Sequence, residues 1–184
     1  MIAAIIIGVI VLILIIWVIA AYNGFVSLRN KVEEAFSTMD VYLKKRYDLI
    51  PNFVETVKGY AKHESETLEK VIGARNAAMN ATTAEDKIAN DNFLTGTLKS
   101  LFAVAEAYPE LKANQNFLAL QDQLSSIEME IASARKFYNA VVNKYNTKLE
   151  TFPNNLLSGL FHFSRKPLYE VSNAEERENV KVQF

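Results

Sequence analysis

The sequence predicts an all-α protein in which an N-terminal single transmembrane helix precedes an antiparallel up-and-down bundle of about four helices and a mostly irregular C-terminal tail. Three observations lead to this fold class. Residues 2–21 are uninterruptedly apolar, and apolar residues then recur at steps of three and four through residues 24–151. Alternating apolar and polar residues, which are typical of strands, are absent from that second region.

The first element is the apolar run from Ile2 to Ala21, IAAIIIGVIVLILIIWVIAA. About 20 such residues at about 1.5 Å each span a hydrocarbon core of about 30 Å. Trp17 and Tyr22 lie toward its end, where amphipathic rings favour the headgroup zone. A cleaved signal peptide is the competing interpretation. It needs a basic start, a shorter apolar run and small residues at the cleavage site, where this chain has Ile19. The run therefore favours a retained signal anchor.

Basic residues predict the orientation of this anchor. No Lys or Arg precedes the run, whereas Arg29, Lys31, Lys44, Lys45 and Arg46 follow it. The positive-inside rule then places the N-terminus outside and the helical body in the cytoplasm.

The spacing of apolar residues in the body predicts four helices, at residues 24–47, 50–78, 85–107 and 112–151. Pro51 and Pro109 are interpreted as breaks because proline is costly inside a helix. If both were kinks, two very long helices would form one hairpin. Asp48 is a candidate cap at the first break, and Thr82 or Thr83 is a candidate cap for the third helix. The seams contain Val32, Phe36, Met39 and Leu43, then Ile50, Phe53, Val57, Tyr60, Leu68 and Val71, then Ile88, Leu94, Leu98, Leu101, Ala105 and Tyr108, and finally Phe117, Leu120, Leu124, Ile127, Ile131, Ala134, Tyr138, Val142, Tyr145, Leu149 and Phe152.

The tail differs in kind from the body. Its NLLSGLFHF segment is apolar but interrupted by Gly159, and the closing VKVQF alternates as a short strand does. A lone strand has no partner within itself, so we expect the tail to dock on the bundle or on a neighbouring protomer. The predicted domains are a transmembrane anchor at 1–22, a helical bundle at 23–151 and the tail at 152–184.

Composition argues against several functions. The 184 residues include 20 basic and 21 acidic side chains, so the chain lacks the basic footprint of a nucleic-acid-binding protein. It has no cysteine, which excludes disulfides and thiolate chemistry. His63 stands in KHESET, where a zinc-protease helix would need a second histidine at Thr67, and we interpret it as solvent-facing. Phosphate-binding and nucleophile motifs are also missing. We therefore predict no enzyme, no cofactor, and no catalytic, cofactor-binding or metal residues.

Polar side chains nevertheless stand on or beside the seams. They are Arg46, Glu64, Glu128, Arg135, Asn139 and Asn146. Such groups usually pair across a bundle and fix the register of its helices. The alternative is an inward-facing polar site for a ligand.

Several motifs together resemble the LemA family of bacterial membrane proteins. They are Tyr22-Asn23, Arg46 with Asp48 to Asn52, Tyr108 to Asn114, Ala134-Arg135 with Tyr138-Asn139, and the ending RKPLYEV…ERENVKVQF. One departure is Met129, where the family often has asparagine. The resemblance implies a single-pass, up-and-down helical bundle in the bacterial cell (inner) membrane, and it implies no reaction.

Three functions fit these features. The first is a membrane-anchored scaffold or interaction protein of the cell envelope that forms homo-oligomers and also contacts other membrane proteins. The alternative is a membrane-remodelling or lipid-binding protein that lays the apolar segment NLLSGLFHFSRK on the bilayer. The third is a ligand-binding protein or enzyme that uses Arg46, Glu64, Glu128 and Arg135.

Overall fold

The computed structural model describes residues 1–170, and this part of the chain is helical with no strand. Its elements are α1 (Ile2–Lys58), α2 (Ser65–Asn80), α3 (Ala84–Glu106), α4 (Pro109–Lys112), α5 (Gln115–Glu150) and α6 (Asn154–Leu160). The all-α prediction is confirmed. The predicted strand VKVQF lies outside the described residues.

The described chain forms two compact units. The first contains residues 1–38 and 134–168, and the second contains residues 39–133 together with Tyr169 and Glu170. Each of the two long helices, α1 and α5, has one segment in the first unit and another in the second.

The first unit begins with the apolar half of α1. An 18-residue window there has a mean hydropathy of 3.5 and none of it is buried in the protein, so its length and composition suit a membrane span. Beyond it, α1 packs against the end of α5, where the rings of Phe36 and Tyr138 lie 5.6 Å apart. The core side chains of this unit include Phe25, Leu28, Val32, Ala35, Val142, Tyr145 and Leu149.

The second unit contains segments of α1 and α5 together with α2, α3 and α4. The ring of Phe53 lies 5.2 Å from that of Phe102 and 5.1 Å from that of Phe117, which joins α1, α3 and α5 in one core. Lys87 of α3 pairs with Asp40 of α1 at 2.7 Å, and further along both helices Arg46 of α1 pairs with Asp91 of α3. Because these pairs advance in the same sense, α1 and α3 are parallel, as an up-and-down order of α1, α2 and α3 requires.

Pro51 does not break the helix, so the predicted end of the first helix at residue 47 is wrong. α1 continues to Lys58, and the chain turns at residues 59–64. Proline has no N–H to donate to the carbonyl four residues earlier, which belongs to Tyr47. Arg75 of α2 supplies a replacement, because its Nε donates to the Tyr47 carbonyl at 2.7 Å. A contact from another helix therefore offsets the bond that Pro51 removes.

This shift corrects two further predictions. Asp48 caps no helix; it lies inside α1 and accepts from Lys44 at 2.7 Å. Tyr60 is not a core residue but is 38% exposed beyond the end of α1, where its hydroxyl accepts from Asn114 at 2.8 Å.

The break predicted at Pro109 is confirmed, but the last long helix begins at Gln115 and not at residue 112. α3 ends at Glu106, and Pro109 opens the short α4, where its missing N–H costs little. Thr83 caps α3 by accepting from the Asp86 backbone N–H at 3.0 Å.

The last seam ends earlier than expected. α5 stops at Glu150, and Phe152, which was predicted to lie on the seam, is 75% exposed. A short α6 follows, in which Leu157 and Ser158 are buried.

Candidate functional site

A buried polar cluster lies in the second unit around Arg46. Arg46 follows Leu43 by three residues and precedes Ile50 by four, so α1 turns it toward the core, and it is 0% exposed. Its guanidinium donates through one nitrogen to Glu128 Oε1 at 2.8 Å and to Thr95 Oγ1 at 3.2 Å. Its other terminal nitrogen is paired with Asp91.

Asp91 is the buried partner of this cluster. It stands three residues after Ile88 and three before Leu94, on the core face of α3, and it is 0% exposed. Its second oxygen accepts from the hydroxyl of Tyr169, which the tail brings to the cluster. One positive guanidinium therefore faces one buried carboxylate and a second, from Glu128, whose side chain is 37% exposed.

The structure brings together only some of the polar residues that the sequence singled out. Arg46 and Glu128 meet, which confirms that Arg46 reaches a carboxylate on a neighbouring helix. Glu64 instead accepts from the Tyr108 hydroxyl at 3.5 Å. Arg135 belongs to the other unit, where it is half-buried. Met129, the departure from the family pattern, is 67% exposed and is not part of the cluster.

Sequence reasoning missed Asp91, Thr95 and Tyr169. A signal for Asp91 was present, because its spacing from Ile88 and Leu94 continues the apolar seam of α3. Nothing periodic marks Tyr169, which lies in the tail.

The chemistry available to this cluster is limited. The Arg46 guanidinium has no exposed surface through which a substrate could approach. Paired groups of this kind fix the register of neighbouring helices. In the part of the chain that the structure describes, no group of three or more His, Asp or Glu side chains is placed to hold a metal ion. His63 is exposed, as expected.

A solvent-open cleft of about 490 Å³ borders the cluster at Glu128. Its wall includes the rings of Phe102 and Phe117, and its rim carries Glu106 and Lys112. The charges on the rim are of both signs, so the cleft does not select an anionic or a cationic ligand.

A second polar contact holds the tail on the first unit. Asn146 is 3% exposed, and its side chain donates to the Lys166 carbonyl at 2.9 Å and accepts from the Lys166 N–H at 3.0 Å. Tyr138 donates to the Pro167 carbonyl at 2.9 Å. The tail was expected to dock on the bundle or on a neighbouring protomer, and Lys166 and Pro167 dock on the bundle of their own chain.

Replacing Asn146 with alanine is expected to lower the free energy of unfolding by about 1–2 kcal/mol, because the part-buried backbone N–H and carbonyl of Lys166 lose their partners. Chemical denaturation of the full chain in detergent, followed by circular dichroism, measures this loss. Asn143→Ala is the matched control, since Asn143 is exposed on the same helix. Equal stability of the two variants would contradict the proposed role of Asn146.

Aromatic rings gather in the first unit where the apolar run of α1 ends. The Tyr22 ring lies 5.0 Å from the ring of Phe161 and 5.7 Å from that of Phe163. Phe163 also lies 5.0 Å from Phe25, and the Arg29 guanidinium stands 5.8 Å from its centre. We call these five side chains the membrane-proximal cluster.

Comparison with known proteins gives one family. A family model described as the LemA family matches residues 35–184. Protein LemA of Metamycoplasma hominis is 25% identical over 157 residues, which cover 83% of this chain and 70% of the relative. Magnetosome protein MamQ 2 of Paramagnetospirillum magneticum is 24% identical over 81% of this chain. Magnetosome protein MamQ of Magnetospirillum gryphiswaldense is 21% identical over 78% of it. The matches span 64% and 62% of these two MamQ proteins.

Proposed function

The chain belongs to the LemA family, and from this premise we propose that it is a single-pass, membrane-anchored helical scaffold that self-associates in the bacterial cell envelope. One observation carries the proposal. The charged group most suited to bind a substrate, Arg46, is fully buried and engaged by two carboxylates. The buried cluster thus supports a structural role, and the binding capacity of the protein lies in its exposed surfaces.

The proposed organisation has three parts. Residues 1–22 anchor the protein, residues 23–151 form the interaction body, and the tail follows at residues 152–184. Arg29 and Lys31, close behind the apolar run, support a cytoplasmic body with the N-terminus outside.

One flank of α5 supports self-association. Leu118 is 44% exposed and Met129 is 67% exposed. They are 11 residues apart, about three helical turns, so they lie within about 20° of each other around the helix. Ser125, also exposed, stands between them on the same flank. This flank, which also carries the exposed Asp122, offers two apolar side chains and one small side chain for packing against a second copy of the same helix.

Single cysteines test this surface cleanly because the chain has none of its own. Met129→Cys in membranes is expected to give covalent dimers with a short thiol crosslinker. Gln123→Cys, exposed on the other flank of α5, is the matched control and should stay monomeric. If neither variant forms dimers at any protein density, the self-association proposal fails. Equal dimer yield from both variants would reject this flank as the interface.

An enzyme or ligand-binding function has weaker support. The cleft beside Glu128 is open, and the side chains at its rim carry opposing charges. Nothing in its wall singles out a reaction.

A further inference from the structure

One exposed apolar surface belongs neither to the membrane span nor to the flank of α5. On α6 and its two ends, Phe152 is 75% exposed, Leu156 63%, Leu160 66% and Phe161 38%. Leu156 and Leu160 are four residues apart and so lie on one face of α6. We call these four side chains the α6 surface.

The buried side of α6 determines which way this surface faces. Leu157 and Ser158 are buried, and the Ser158 hydroxyl donates to the Leu149 carbonyl of α5 at 3.0 Å. Because that side is held against α5, Leu156 and Leu160 project away from the protein. The fold therefore leaves Phe152, Leu156 and Leu160 largely exposed, while Phe161 is partly covered by Tyr22.

Contacts within the first unit place the α6 surface beside the end of the membrane span. Tyr22 directly follows the apolar run, and its ring packs edge-on against Phe161 at 5.0 Å. Phe163, two residues later, packs on Phe25 and receives the guanidinium of Arg29. Tyrosine at the end of a span lies at the level of the lipid headgroups. A side chain in contact with Tyr22 is therefore near the same level.

We infer that the α6 surface lies in the interfacial layer of the same bilayer that residues 2–22 cross, with Leu156 and Leu160 directed toward the acyl chains. The inference rests on the proposed membrane span and is independent of self-association. A short helix with leucine and phenylalanine on one face inserts that face about 5–10 Å into the boundary between headgroups and acyl chains. The lipid that receives it is the continuation of the lipid around the anchor, so no separate partner has to be recruited.

Cations stand close to the α6 surface. Arg165 is engaged by Glu150, whereas the guanidinium of Arg29 lies over the ring of Phe163 and the ammonium of Lys148 over that of Phe25. We therefore expect insertion into zwitterionic bilayers through the apolar side chains, and stronger insertion into anionic bilayers at low salt.

The test uses the full chain reconstituted in zwitterionic liposomes. Single cysteines at Leu156 and Leu160 carry an environment-sensitive fluorophore, and a third variant carries it at Asn155, an exposed polar position of α6. A quencher attached to the lipid acyl chains and a water-soluble quencher report the depth of each probe. Trp17, the sole tryptophan of the chain, reports the membrane span independently in the same samples.

We expect the acyl-chain quencher to act about twofold more strongly at positions 156 and 160 than at 155, given an insertion depth of about 5–10 Å. Trp17 should be quenched in all variants. If Trp17 is quenched but the probes at 156 and 160 respond only to the aqueous quencher, the α6 inference is overturned while the span stands. If those probes are shielded from both quenchers and the Leu160→Cys variant crosslinks to a second copy, the surface is a protein interface and the inference is again overturned.

Discussion

Replacing Arg46 with alanine is expected to lower the free energy of unfolding by about 3–5 kcal/mol, the largest effect of any single change proposed for this protein. Asp91 is 0% exposed, so without the guanidinium its carboxylate is left buried without its cationic partner. Glu128 and Thr95 lose a donor at the same time. Chemical denaturation in detergent, followed by circular dichroism, measures the loss.

Two comparisons make this result specific. Lys44→Ala removes an exposed cation that pairs with Asp48 on the same helix, and we expect it to change stability by less than about 0.5 kcal/mol. The double variant Arg46→Met with Asp91→Leu should recover much of the loss, because no carboxylate remains buried at position 91. If Arg46→Ala is as stable as Lys44→Ala, the cluster does not hold the helices together.

The second large effect concerns Arg75, which donates to the Tyr47 carbonyl at 2.7 Å. We expect Arg75→Met to cost about 1.5–3 kcal/mol, because a hydrogen bond from a charged group is lost at the one carbonyl that Pro51 cannot satisfy. Lys70→Met, an exposed change on the same helix, is the control. Thermal and chemical melts of the full chain give both values.

A double-mutant cycle identifies the cause. In a Pro51→Ala background, residue 51 regains an N–H that can donate to Tyr47, so the cost of Arg75→Met should fall by about 0.5–2 kcal/mol. The same cost in both backgrounds would mean that Arg75 stabilises α2 for a reason unrelated to the proline.

The Arg46 cluster and the contact between Arg75 and Tyr47 show which features the sequence could and could not predict. The seams, the Thr83 cap and the break at Pro109 were predictable because each depends on neighbours in the chain. Pro51 was misjudged because its compensation comes from Arg75, far away in sequence. Arg46 is evident from its place in a seam, and Asp91 has a similar spacing in the seam of α3, but the pairing of the two residues depends on the fold.

The contacts of the tail could not be predicted from the sequence either. Neither Tyr169 nor the residues that Asn146 holds have a periodic pattern, because they are fixed by side-chain contacts with the bundle and not by their own secondary structure. The apolar residues of the α6 surface are evident in the sequence, but their position beside Tyr22 is evident only from the fold.

This LemA-family protein is proposed to self-associate at the membrane through its exposed surfaces. Energy transfer between donor-labelled and acceptor-labelled full-length chains in liposomes tests it most directly. If the chains self-associate, transfer persists as lipid is added in excess and falls when unlabelled chains compete. Transfer that declines with dilution to the level of random encounters, and is insensitive to unlabelled chains, would contradict it.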